Sequence, residues 1–293
     1  MKYEKLKFRK YGRNPPGVLE LEDEIPSVDM ALKSQLKRLN ALLNLVNEQK
    51  PNSYQDYVNN LELKFESLVK EDHLTKRNID VVNYLTEFDY LSKFPNLAKN
   101  YVNYMIQILD LAETTNLAND KIKVTKRIYL RTLLVPRYYN ALVLIETIDR
   151  NEAIKLYKYF VTKFVIENQS PNRRIFDSLD AFQEFFEKDK EEITIGVYGV
   201  LSDVTNGKFF FRKDNCLYAD AISDLPDKTV KYLVCCYVDF QSAVARSYGN
   251  FLLTMKHTIV EGDPYCDCII HDTNIDWDLE HPPKEFWNNI EPE

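Results

Sequence analysis

Apolar residues recur at intervals of three and four through most of the first two thirds of the chain. Leu32, Leu36, Leu39, Leu43 and Val46 make one stripe, and Tyr54, Tyr57, Leu61, Phe65 and Leu68 make the next. A spacing that averages 3.6 residues puts each set along one side of a helix. Ser27 is placed to cap the first helix, and Ser53, just after Pro51, opens the second. The same period predicts helices over 79–91, 97–111, 121–134, 138–148, 152–166 and 179–188, the last capped by Ser178, which makes eight in all. Pro26, Pro51, Pro95, Pro136 and Pro171 punctuate them, because proline lacks the N–H that a helix interior needs.

From Ile193 the character changes. The segments ITIGVYGVLSD and KFFFRKD are rich in β-formers and are separated by Thr205-Asn206-Gly207. Asn-Gly readily takes the positive φ angles of a tight two-residue turn, so a hairpin is expected. Asp227 can cap a helix running through Tyr232, Cys236, Phe240 and Val244 and ending near Gly249. After it, FLLTMKHTIV and YCDCIIHD flank the turn Glu261-Gly262-Asp263-Pro264, a second hairpin.

If the four turn residues are unpaired, Val260 opposes Tyr265, Ile259 opposes Cys266, His257 opposes Cys268 and Met255 opposes Ile270. Side chains alternate across a strand. One face then holds Leu253, Met255, His257, Ile259, Cys266, Cys268 and Ile270, and is read as the core side. The other holds Thr254, Lys256, Thr258, Val260, Tyr265, Asp267, Ile269 and His271. The preceding helix is the natural cover for the core side and brings Cys235 or Cys236 into the same layer. The fold class expected is α+β: a helical N-terminal part over residues 1–135, an α+β domain over 136–275 whose small antiparallel sheet of two hairpins is covered by helices, and an acidic tail over 276–293.

Composition narrows the possible functions. Only 7 of the 293 residues are glycine, and none lies between Val18 and Ile195. No G-x-G-x-x-G or G-x-x-x-x-G-K-[ST] string is present, so a dinucleotide or P-loop phosphate cradle is not expected. A net charge of −7 argues against a nucleic-acid partner, since neutralising phosphates needs a surplus of Lys and Arg. Charge is uneven at the ends: residues 1–13 carry six bases and one acid, and 272–293 carry seven acids and one base. Both are read as solvated segments that lie near each other. No apolar run approaches the ~18 residues a membrane span requires, and the first residues lack the apolar centre of a secretory signal, so a cytoplasmic protein with no membrane partner is expected.

The five cysteines, Cys216, Cys235, Cys236, Cys266 and Cys268, all fall in the last third. An odd number in a cytoplasmic setting points to free thiols, a metal site or a nucleophile rather than a disulfide framework. Three readings stand side by side. The thiols can fill a tight helix-on-sheet interface as small apolar groups. Cys216, Cys236 and Cys266, with His257 or Cys268, can hold zinc tetrahedrally, although no C-x-x-C pair is present. Or a thiolate can serve as nucleophile: Cys236 and Asp239 stand at i, i+3 on a helix, with His257 as acid or base.

Four pieces in order carry a resemblance: Ile148-Asp149-Arg150-Asn151-Glu152-Ala153; Phe211 to Cys216 followed by Tyr218; Cys236-x-x-Asp239; and Thr258-Ile259-Val260-Glu261-Gly262-Asp263-Pro264-Tyr265-Cys266-Asp267. In these the segment from about Tyr138 to His271 resembles the L-2-amino-thiazoline-4-carboxylic acid hydrolase family. The closing hairpin is also similar to that of vinyl-reductase-type small-molecule-binding domains of TRAPP-like α+β fold. Carried over, the family pattern matches Cys216, Cys236, Asp239, Gly262, Cys266 and Asp267, and this chain departs from it in having Cys268 after Cys-Asp and in doubling the helical cysteine with Cys235.

The resemblance implies a hydrolase, or a cyclase running the same chemistry in reverse, acting on a C–N or C–S bond of a small amino-acid-derived heterocycle. The catalytic set expected is Cys236, Asp239, Cys266 and Asp267 from the family pattern, joined by His257 as the acid or base read from the residues themselves; the alternative metal reading takes Cys216, Cys236, Cys266 and Cys268, with the cofactor left open and zinc as its candidate. A small-molecule substrate is the partner expected, with a homodimer left open. The competing class is a non-catalytic small-molecule or metal-binding sensor or scaffold of the same fold.

Overall fold

The computed structural model describes residues 6–25, 28–70, 81, 85–111, 121–168, 170, 173–192 and 196–291. Its strands are β1 (Phe8–Arg13), β2 (Glu22–Ile25), β3 (Ile122–Thr125), β4 (Val197–Ser202), β5 (Lys208–Lys213), β6 (Phe251–Thr254) and β7 (Cys266–Asp272). Its helices are α1 (Val28–Gln49), α2 (Pro51–Leu68), α3 (Pro95–Leu109), α4 (Lys126–Thr147), α5 (Arg150–Glu167), α6 (Leu179–Glu192), α7 (Leu217–Ala221), α8 (Lys228–Cys235), α9 (Tyr237–Ala245) and α10 (Lys284–Asn288). The α+β class expected from the sequence is observed. No helix among the described residues is long and apolar enough to cross a membrane.

The chain divides into two compact units, Glu20–Phe160 and Met1–Leu19 together with Val161–Glu293. The boundary expected near residue 135 falls inside α4, and the basic N-terminal segment belongs to the sheet-bearing unit.

In the helical unit, the stripe Leu32, Leu36, Leu39, Leu43 and Val46 is wholly buried on α1. Tyr57, Leu61 and Phe65 of α2 are buried as well, and the Phe65 ring meets that of Tyr101 edge-on at 4.8 Å. The two helices expected on either side of Pro136 are one continuous helix, α4, capped by Thr125, whose Oγ1 accepts from Ile128 N. Burial of Leu134, Val135 and Tyr138 around the proline outweighs its helix-breaking tendency. Ser27 lies outside the described residues, as do residues 79, 80 and 82–84 of the helix expected over 79–91; in the described remainder residues 86–90 are turns and irregular backbone rather than helix and a 3-10 turn follows at Leu91–Lys93, which corrects that expectation.

The second unit is built on an antiparallel five-stranded sheet in the order β1-β4-β5-β7-β6. The first hairpin turns as expected: Asn206 and Gly207 have φ of 50° and 71°, and Thr205 and Lys208 exchange both backbone hydrogen bonds. One face carries Tyr11, Leu201, Phe209, Phe211, Leu253, Cys266, Cys268 and Ile270 beneath α6 and α9. The other carries Phe8, Val200, Phe210, Tyr265 and Ile269 beneath Phe286, Trp287 and Ile290 of the C-terminal segment.

Both faces are therefore core, which corrects the expectation of a single core side. The termini are corrected too. The acidic tail is a cover rather than a solvated run, with Trp287, His281 and Asp276 buried. It does meet the N-terminal strand, through Phe8 and Phe286 at 6.0 Å.

The second hairpin departs from the expected register by two residues, pairing Leu253 with Ile270 and Thr254 with Ile269. An even shift preserves the faces, so Met255, Ile259, Cys266 and Cys268 still share a layer. Strand β6 stops at Thr254, and the chain then forms a 3-10 turn, Ile259–Glu261, closed by Gly262 at φ 105°.

The helix expected from Asp227 is interrupted at Cys236, giving α8 and α9. Its cap forms as expected, with Asp227 Oδ1 accepting from Val230 N at 3.0 Å. Asp227→Ala is expected to lower stability by about 1 kcal/mol in urea unfolding, the usual worth of such a cap.

Candidate functional site

Strand β7 alternates faces, so Cys266 and Cys268 point one way while Asp267 and His271 point the other. The sequence-predicted site residues are accordingly divided between two groups on opposite sides of the sheet.

The first group is the thiol layer. Cys216 begins α7, its Sγ accepting from Ala219 N at 3.4 Å, and Cys266 Sγ accepts from Ile259 N at 3.3 Å. Cys268 is fully buried, with its Sγ 3.7 Å from Met255 Sδ. Cys236 lies in the turn between α8 and α9. Lys213 Nζ bonds Asp239 Oδ2 at 3.2 Å, and the buried Tyr11 hydroxyl has no hydrogen-bond partner.

Burial disfavours the thiolates throughout this layer. It raises Cys216 and Cys236 above the ordinary thiol value, pushes Cys266 up to about 12 and holds Cys268 well above its usual range. Around Cys236, the neighbouring Cys235, Cys266, Cys216 and Asp239 reinforce the effect. Lys213 lowers the values of Cys216, Cys266 and Cys268 but does not overcome desolvation. Protonated thiols are neither ready nucleophiles nor ready metal ligands. Among the described residues no three His, Cys, Asp or Glu side chains are arranged to hold a metal ion, so the set Cys216, Cys236, Cys266 and Cys268 lacks the geometry for zinc.

The second group was largely missed by sequence reasoning. His257 was expected beside Cys266 and Cys268. It instead turns to the other face, where its Nδ1 lies 2.5 Å from Asp267 Oδ2. The cause is local: Asp267 Oδ1 accepts from the backbone N–H groups of both Lys256 and His257 at 2.8 Å, which pulls the chain out of strand pairing after Thr254.

A continuous polar chain runs on from there. His281 Nε2 stands 3.1 Å from Asp267 Oδ2, off the line of a well-formed hydrogen bond. Thr254 Oγ1 bonds His281 Nδ1 at 2.8 Å and His271 Nε2 at 2.7 Å. His271 Nδ1 meets Asp276 Oδ2 at 2.5 Å, and Lys208 Nζ closes the chain on Asp276 at 3.0 Å. Asp267 and His271 are wholly inaccessible to solvent, whereas the His257 side chain is 22% exposed.

The electrostatics match this geometry. Burial alone would raise Asp267, but the adjacent His281 imidazole and the hydrogen bonds from His257 and two backbone N–H groups hold it below the usual carboxylate range. Burial pushes His271 below the ordinary histidine value, and Asp276 only partly offsets it. The unfolded chain therefore takes up a proton near pH 6.5 that folded His271 refuses, so stability falls as pH drops below that point. The urea midpoint is expected to decline between pH 7 and pH 5, with a shallower decline in His271→Gln.

Three of these partners were visible in outline, since Thr254, Asp267 and His271 share strand parity. His281, Asp276 and Lys208 carried no motif. Comparison with protein-family models, curated proteins and solved structures finds no match to the chain.

Proposed function

We propose that the protein is a hydrolase-like enzyme that opens, or in reverse closes, a C–N or C–S bond in a small amino-acid-derived heterocycle, with His257 as its acid–base group and Asp267 as the residue that orients it. The observation that carries this reading is the pairing of a wholly buried carboxylate with a partly exposed imidazole at 2.5 Å. With Nδ1–H committed to Asp267, Nε2 is left as the atom that exchanges protons, the division of labour that holds an imidazole in one tautomer in acid–base catalysis. The family resemblance around Gly262 to Asp267 supports the substrate class.

In a cyclic amidine the electrophilic carbon lies between nitrogen and sulfur or between two nitrogens. His257 Nε2 takes a proton from the attacking water and returns it to the departing ring heteroatom, a contribution of some 10²–10⁴-fold. Water is the nucleophile in this reading, because the thiols of Cys236 and Cys266 are held protonated. Asp239, paired with Lys213, serves the thiol layer rather than the reacting atoms.

The test is to incubate the protein with 2-amino-thiazoline-4-carboxylate and related five-membered cyclic amidines, following gain of one water by mass spectrometry. Ring opening is expected in the wild type and a loss of at least about 100-fold in His257→Gln, with Cys236→Ala retaining most turnover. Equal turnover in wild type and His257→Gln, or none with any member of the series, defeats the proposal.

A further inference from the structure

The face of the sheet that carries Asp267 also bears an open cleft of about 410 Å³ at its β1–β4 edge, lined by Lys10, Arg13, Asn14, Tyr198, Arg212 and Asp214 among others. Its volume falls in the range of small-ligand sites. We infer that this cleft binds a compact dianion, a phosphate monoester or a dicarboxylate, with Lys10 and Arg13 as its charge-bearing contacts and Arg212 as its fixed floor.

Charge comes first. Three cations and one carboxylate line the cleft, a local balance of +2 in a chain whose net charge is −7. Lys10 and Arg13 are exposed and make no ion pair among the described residues. Elsewhere in this unit Arg9, Lys208 and Lys213 each have a carboxylate partner. Two unneutralised cations on one edge strand also discourage a second strand from pairing there, but that role needs no concave site beside them.

Arg212 supplies the geometry. It lies on one row across the sheet with Lys10, since Lys10 pairs with Val200 and Val200 with Arg212. Its guanidinium is clamped: Nε and Nη2 donate to the two oxygens of Asp214 at 2.7 and 3.3 Å, Nη1 donates to the Trp287 carbonyl at 2.6 Å, and the group lies over the Tyr265 ring at 5.3 Å. Those contacts use three of the five N–H donors that a guanidinium carries, leaving two for a ligand. A rigid planar donor and two mobile cations suit a small group bearing two negative charges, which accepts a fork of hydrogen bonds from arginine and point-charge contacts from lysine.

This binding site does not depend on the chemistry proposed for His257. The same row continues from Arg212 to its cross-strand partner Asp267, so a ligand seated here lies along the face that presents the dyad.

The experiment titrates the full chain with inorganic phosphate and, separately, with succinate at low ionic strength, following backbone amide shifts by NMR. Saturable one-site binding of either anion is expected, centred on residues 10–14 and 198–200, and weakened about tenfold or more in Lys10→Ala/Arg13→Ala, the loss expected when two charge-assisted contacts go. A control of equal charge change, Lys37→Ala/Lys99→Ala in the helical unit, should bind as the wild type does. Phosphate alone binding assigns the phosphoester class, and succinate alone assigns the dicarboxylate class. Saturation by neither anion, or equal binding in wild type and Lys10→Ala/Arg13→Ala, overturns the inference.

Discussion

Asp267→Asn is expected to be the most damaging conservative substitution in the protein. The carboxylate is wholly buried and accepts from three donors, His257 Nδ1 and the backbone N–H groups of Lys256 and His257, with His281 Nε2 a further 3.1 Å contact. An amide of the same shape accepts through one oxygen only and turns its NH₂ toward groups that also donate. Removing one partner of a buried ionic set costs about 3–5 kcal/mol, because the remaining groups are left without compensation. Turnover should fall further than stability alone explains, by about 10³–10⁴-fold, because the imidazole loses the group that selects its tautomer.

The pH dependence supplies a check with a definite sign. Folding lowers the Asp267 value, so its contribution is complete above the unfolded carboxylate value of about 3.9 and disappears as pH falls through the folded value. The gap in unfolding free energy between wild type and Asp267→Asn should therefore be largest near neutral pH and shrink below about pH 4. A gap independent of pH would assign the loss to packing instead.

How far these features could be read in advance depended on how regular their elements are. The helix stripes on α1 and α2, the Asn206-Gly207 turn and the Asp227 cap each carry a local signal tied to a repeating geometry, and each forms as expected. Face membership around β7 was also legible, because an error of two residues in register leaves every side chain on its own face. The placement of His257 was not legible. It depends on Asp267 capturing two backbone N–H groups beyond Thr254, a side-chain competition with strand pairing that alternation does not encode. The division of the proposed cysteine–histidine site follows from that one local event.

The C-terminal cover was illegible for a different reason. Ile275, Trp277, Leu279, Phe286, Trp287 and Ile290 follow neither a period of two nor one of 3.6, because most of this segment is irregular and only Lys284–Asn288 is helical. Periodicity reports regular elements and is silent on a strap. The surplus of acids then suggested solvent, although Asp276 is committed to His271 and Lys208 in the buried chain.

Trp287→Ala tests how much rests on that strap. The side chain is fully buried, and its ring centre lies 5.3 Å from Phe286, 6.3 Å from Phe210 and 5.6 Å from His281. Truncating a buried tryptophan to alanine costs about 3–5 kcal/mol through lost burial and the cavity left behind. The buried indole Nε1 has no hydrogen-bond partner, so Trp287→Phe, which keeps a ring and removes the unpaired donor, should cost much less. The two variants thus separate packing from polarity in a single urea-unfolding series. The alanine variant should also lose turnover under conditions where it remains folded, because the indole packs against the His281 imidazole that faces Asp267. A folded Trp287→Ala protein with undiminished turnover would limit the strap to stability and leave His257 and Asp267 to act without the rest of the buried chain.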